Sequence, residues 1–117
     1  MMTKYITVVE TREFINFAKQ NLSDEERKLL IDFLAGNPKA GILIQGTGGL
    51  RKLRWARPNQ GKSGSYRVIY YYHNDNIPLF LISAFAKNVM ENISDAAKRE
   101  YAKLLKELVK QYEGKNE

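Results

Sequence analysis

The sequence predicts an α+β domain in which an N-terminal strand and two helices pack on a curved, mainly antiparallel sheet, with a helix at the C-terminus. Two helical periodicities precede three consecutive strand-like segments, and helices grouped ahead of a meander favour a sheet packed against a helical layer. A final amphipathic stripe places one more helix after the strands. The chain has 117 residues, of which 44% are hydrophobic, enough for one core and too few for two. Residues 1–117 are therefore read as a single domain.

Each element has a local cause. Tyr5 to Val9 is β-branched and aromatic and reads as the first strand. Phe14, Ile15, Phe17 and Ala18 recur at helical spacing through a short helix that Asn21 and Leu22 interrupt. Ser23-Asp24-Glu25-Glu26 has the form of a capping box, and Leu29, Leu30, Phe33 and Leu34 are expected to form the buried stripe of the helix it opens. Gly36 and Pro38 end that helix. Gln45 to Gly49 is turn-rich. It lacks the lysine followed by serine or threonine of a phosphate-cradling loop, so its expected job is tight backbone routing.

Leu50 to Ala56 alternates as a strand, with Leu53 and Trp55 on one face and Lys52 and Arg54 on the other. Arg57 to Gly64 is a polar loop. Ser65 to Tyr72 forms the next strand, with Tyr66, Val68, Tyr70 and Tyr72 on one face and Arg67, Ile69 and Tyr71 on the other. Asn74-Asp75-Asn76 makes a hairpin turn into Leu79 to Phe85, a strand apolar on both faces and so covered on both sides. Ser94 opens the last helix, which runs to about Tyr112 with Ala97, Tyr101, Leu104, Leu105, Leu108 and Val109 as its buried stripe. Gly114 to Glu117 is expected to fray.

Composition narrows the function. Nineteen Lys and Arg against 13 Asp and Glu give a formal charge of +6, which favours a polyanionic partner. The charges are also segregated. Between Asp32 and Asp75 no acidic residue occurs, yet the stretch holds Lys39, Arg51, Lys52, Arg54, Arg57, Lys62 and Arg67. There is no cysteine, which excludes disulfides and thiolate chemistry and fits a reducing cytoplasm. The longest mainly apolar run, Ile77 to Ala86, is half the roughly 20 residues a membrane-spanning helix needs. No signal peptide is visible at the N-terminus.

One histidine, His73, beside a turn does not support a triad or an imidazole metal site. The middle of the chain also lacks the carboxylates of a two-metal centre, so no metal or cofactor is expected. What remains is a set of cations and phenols on adjacent strands: Lys52, Arg54, Arg67 and Lys87, with Tyr70 and Tyr71 between them. Cations hold a backbone phosphate and stabilise its pentacoordinate transition state, and rings stack on unpaired bases. If a 2′-hydroxyl attacks its own phosphate, the protein need supply only orientation, charge and a proton acceptor. A lysine desolvated among other cations is a reasonable acceptor, so Lys52 or Lys87 fits that task. From the pattern alone, catalysis and plain phosphate binding fit equally well.

The runs Gly46-Thr47-Gly48-Gly49-Leu50-Arg51-Lys52-Leu53-Arg54-Trp55 and Gly61-Lys62-Ser63-Gly64-Ser65-Tyr66-Arg67-Val68-Ile69-Tyr70-Tyr71-Tyr72 resemble the signature of HigB-type toxins in the RelE/ParE superfamily. Leu81 to Asn88, with a helix after it, is similar to that family's last strand and C-terminal segment, and the element order agrees from about Tyr5 to Tyr112. The resemblance implies a cytoplasmic toxin of a type II toxin–antitoxin system, held by a helix-turn-helix antitoxin. It also implies a metal-independent endoribonuclease that enters the ribosomal A site and cuts mRNA by 2′-hydroxyl attack.

By matching position, Lys52, Arg54, Arg67 and Lys87 are the catalytic set. Arg51, Arg57, Lys62, Tyr70 and Tyr71 surround them as substrate-binding residues. Where RelE proper has a catalytic tyrosine near its C-terminus, this chain has about Ile93 and then a long helix, so Tyr70, Tyr71 or a lysine is expected to take the proton instead. Two other readings stay open: a ParE-like toxin acting on DNA gyrase without cutting RNA, and a non-catalytic RNA-binding module.

Overall fold

The computed structural model describes residues 5–56, 65–86 and 92–114. The elements run β1 (Val8–Glu10), α1 (Arg12–Asn21), α2 (Asp24–Gly36), β2 (Ile42–Leu43), β3 (Leu50–Trp55), β4 (Tyr66–Tyr71), β5 (Leu79–Ala86) and α3 (Asp95–Gly114). They form one five-stranded sheet in the order β1-β5-β4-β3-β2. β1 pairs in parallel with β5, and β2 to β5 are antiparallel neighbours. The α+β class and the mainly antiparallel sheet agree with the expectation, and none of the described helices is long and apolar enough to cross a membrane.

Local chemistry sets the helix starts. The Thr11 hydroxyl accepts from the Phe14 amide at 3.3 Å and donates to the Ile82 carbonyl at 2.7 Å, so one side chain caps α1 and ties it to β5. Ser23 and Glu26 complete the predicted capping box at the start of α2, where such a cap contributes about 1 kcal/mol. A 2.7 Å ion pair between Arg27 and Glu10, partly shielded from solvent, holds α2 to the end of β1.

Two apolar layers flank the sheet. On one side Phe14 and Ala18 of α1 and Leu30 and Leu34 of α2 pack on Val68, Tyr70, Leu79, Leu81 and Ala84. On the other, Leu105 of α3 packs on Leu50, Ile69, Tyr71, Phe80 and Phe85. The residues of β5 contribute to both layers, as its two-faced apolarity predicts.

Several details differ from the sequence reading: β1 starts at Val8 and not at Tyr5, because only Val8–Glu10 pairs with β5, and α3 continues into Gly114. The short edge strand β2 was not anticipated: two residues show no alternation, and both Ile42 and Leu43 are exposed. Within the predicted stripes, Leu29, Phe33 and Leu104 are exposed, the last at 60%. α2 turns Leu30 and Leu34 inward, and α3 inserts Leu105 alone fully, because each helix lies on the sheet along a narrower line than its apolar arc. Phe33 instead packs at the surface against Trp55, with ring centroids 5.8 Å apart.

The loop before β3 is a routing device, as expected. Thr47 is fully buried, its hydroxyl donating to the Ile44 carbonyl at 2.6 Å and accepting from the Leu50 amide at 3.0 Å. Gly48 and Gly49 have φ of 80° and 129°, a region that other residues rarely adopt. A Cβ on Gly49 would lie 2.9 Å from the Tyr71 ring. Gly49→Ala is therefore expected to cost about 2 kcal/mol from backbone strain and overpacking, read as a lower urea midpoint at unchanged slope.

Candidate functional site

The pairing of β3 with β4 decides which cations meet. Arg54 lies directly opposite Arg67, and Lys52 opposite Ile69; across β4, Arg67 faces Phe85 and Ile69 faces Ser83. Strand alternation puts Lys52, Arg54, Arg67 and Ile69 on the α3 side of the sheet. Three of the four residues expected to form the catalytic set thus share one face. Lys87, Arg57 and Lys62 lie outside the described residues.

The electrostatics of this face are unusual for a structural sheet. Like charges directly opposite each other on neighbouring strands are unfavourable, yet among the described residues no carboxylate pairs with Arg54, Arg67 or Lys52. Arg54 Nε donates to the buried Ser65 hydroxyl at 3.4 Å. Arg67 Nη1 is buried without a hydrogen-bond partner, and a buried donor left unsatisfied costs roughly 1–3 kcal/mol. Lys52 Nζ donates to Asn92 Oδ1 at 3.2 Å, which connects the cationic row to the segment leading into α3. Sequence reasoning missed both Ser65 and Asn92, which touch the cations only through tertiary pairing.

Three expected substrate-binding residues are placed elsewhere. Arg51 points to the opposite face, where its Nη1 donates to the carbonyls of Gly41 at 2.8 Å and Lys39 at 3.3 Å. It anchors the chain ahead of β2, and the period-two alternation that grouped Lys52 with Arg54 already separated Arg51 from them. Tyr70 is 0% exposed, and its hydroxyl accepts from the Gly41 amide at 2.7 Å and donates to the Pro38 carbonyl at 2.9 Å. Tyr71 is 4% exposed beneath α3. A base stacks only on an open ring, so neither tyrosine is a stacking platform.

Neither tyrosine suits the role of proton acceptor. Burial is the main cause that raises both phenols above their usual pKa, with Glu113 adding to the effect at Tyr71, and a raised pKa leaves less phenolate near neutrality. Ile93, at the place of the resembled family's tyrosine, packs into the apolar layer under α3. His73, beside the turn, is a structural bridge: Nδ1 is 3.1 Å from the Tyr71 hydroxyl and Nε2 is 3.6 Å from Glu113 on α3.

The fold and this face together define a small α+β protein carrying a row of cations, unpaired with any carboxylate among the described residues, on a mainly antiparallel sheet. The chain belongs to the RelE toxin family, since the model of the RelE toxin of the RelE/RelB toxin–antitoxin system matches residues 6–116. Among solved structures it is similar to the E. coli toxin RelE, seen as a doubly substituted mutant in the free state. That chain is 19% identical, with a TM-score of 0.56 over 81% of this chain and 97% of the other. At that identity the likeness concerns the fold.

Proposed function

We propose that this toxin is a metal-independent endoribonuclease of HigB type that cleaves mRNA in the ribosomal A site, in the cytoplasm, and is held by a cognate helix-turn-helix antitoxin. The observation that supports it best is the Arg54–Arg67 pair. Two guanidiniums side by side, with no carboxylate paired to either among the described residues and one with a buried donor lacking a partner, disfavour the free fold and suit a phosphodiester that gains charge as it reacts. In this reading Arg67 and Arg54 hold the scissile phosphate, and Lys52 sits one residue pair along the same face. Lys87 is assigned to this set, and Arg57 and Lys62 to RNA binding, by the family resemblance. The attacking 2′-hydroxyl belongs to the RNA, so the protein supplies orientation, charge and a place for the proton.

A purified translation system with a reporter message tests the reading. The toxin should yield truncated message with 5′-hydroxyl ends on the downstream fragments, and only when ribosomes are present. Intact message together with blocked gyrase would replace it with the ParE-like reading. Intact message with neither effect, but with RNA bound, would leave a binding module.

Phosphate contacts also have a salt signature. Each contact to single-stranded nucleic acid adds about 0.7 to the slope of log affinity against log salt concentration. Arg54→Gln is expected to lower that slope by about 0.7 for a non-cleavable 2′-deoxy oligonucleotide, measured by fluorescence anisotropy across a KCl series. An unchanged slope would remove Arg54 from the phosphate site.

A further inference from the structure

Beside the cationic row, α3 and the sheet leave a cavity of about 260 Å³ whose lining includes Glu13, Ile69, Ser83, Phe85, Asn92 and Tyr101. Its position is set by the strand register. Ile69 is the cross-strand partner of Lys52, and Phe85 that of Arg67, so the floor of the cavity continues the face that carries the cations. Asn92, on its wall, is the residue whose Oδ1 accepts from Lys52. A phosphate at the cationic row therefore has this cavity as its immediate neighbour.

The size and chemistry of the cavity differ from those of a phosphate site. Pockets for drug-sized ligands start near 300 Å³, so about 260 Å³ suits one ring system and not a length of chain. The floor is aliphatic and aromatic, as a base face requires. The carboxylate of Glu13 repels phosphate but accepts hydrogen bonds from N–H groups, and ionised carboxylates are acceptors only. Burial, with Glu13 as a second cause, raises the Tyr101 phenol above its usual pKa, so the ring wall beside Glu13 is neutral.

We propose that this cavity is the base-reading subsite of the toxin and takes one unstacked guanine from single-stranded RNA whose phosphate lies on Arg54 and Arg67. Guanine presents two adjacent donors, N1–H and N2–H, to the two oxygens of Glu13, and a neighbouring O6 acceptor to the Asn92 amide. Uracil has a single N–H donor and leaves one carboxylate oxygen unmet. The subsite rests on the phosphate-holding role proposed above, and it makes Glu13 a specificity-determining residue.

Titration of the full chain with 3′-GMP, 3′-AMP, 3′-CMP and 3′-UMP, followed by amide NMR shifts, tests it. The expected result is binding of 3′-GMP about tenfold or more tighter than 3′-UMP, the scale of one good bidentate base contact, with shifts at Ile69, Ser83 and Asn92. Glu13 is exposed, so Glu13→Gln should fold normally. It should shrink the guanine preference to about twofold or less while leaving inorganic phosphate binding undiminished.

Equal affinities for the four nucleotides, no binding of any, or a guanine preference that survives Glu13→Gln would each overturn the proposal. The translation assay separates this from the nuclease reading. Cleavage with no nucleotide preference removes the subsite alone, whereas guanine preference without cleavage removes the nuclease alone.

Discussion

Arg67→Ala is expected to reduce mRNA cleavage by about 10²–10³-fold, the usual effect of removing one preorganised donor from a developing oxyanion, without destabilising the protein. The two halves of that expectation have one cause. Arg67 stands opposite Arg54 with a buried Nη1 that has no partner. Its removal relieves like-charge repulsion of roughly 0.2–1 kcal/mol and a desolvation cost of roughly 1–3 kcal/mol, and among the described residues it breaks no ion pair.

A thermal melt of Arg67→Ala should therefore match or exceed that of the wild type while cleavage in the translation assay collapses. Arg67→Lys keeps the charge but loses the planar fork and should fall between the two. Full cleavage by Arg67→Ala would end its assignment to the phosphate. A large loss of thermal stability would show instead that the arginine serves the fold.

Tyr70→Phe is expected to do the reverse, weakening the fold and sparing the chemistry. The change deletes the hydroxyl that joins Gly41 to Pro38 and leaves the Gly41 amide without its 2.7 Å acceptor. The loss of net hydrogen bonding and the exposed desolvation cost together come to about 3 kcal/mol, or a fall in Tm of roughly 10 °C for a domain of this size. Cleavage measured well below the new Tm should be within about twofold of wild type, because the ring is fully buried on the face away from the cations. Such a protein would confirm Tyr70 as a strut for the chain entering β2. Loss of cleavage at full stability would return it to the substrate site.

The contrast between Arg67 and Tyr70 shows how far the residues could be read in advance. Strand alternation grouped Lys52 with Arg54 and, on the next strand, separated Arg67 from Tyr70; the β3–β4 register then joined the two cationic faces. The tyrosines were nonetheless expected to stack on bases, because alternation tells which residues share a face and not which faces are covered. The helical stripes have the same limit. Leu29, Phe33 and Leu104 are in phase with Leu30, Leu34 and Leu105 along the sequence, but the width of each contact line on the sheet leaves them outside. β2 was illegible because two residues carry no period, and its pairing with β3 supplies the order that its own composition does not.

The sequence alone determined the α+β class, the helix caps at Ser23 and Ser94, the course of the chain through Gly48 and Gly49, and the acid-free cationic segment. Each of these is a local property of neighbouring residues. Only the tertiary structure decided that Arg54 would face Arg67, that α3 would cover Tyr71, that Lys52 would meet Asn92, and that a cavity would open beside them. Those relations depend on strand register and on where a distant helix comes to rest, which contacts across 11 to 40 positions of chain establish and no local pattern encodes.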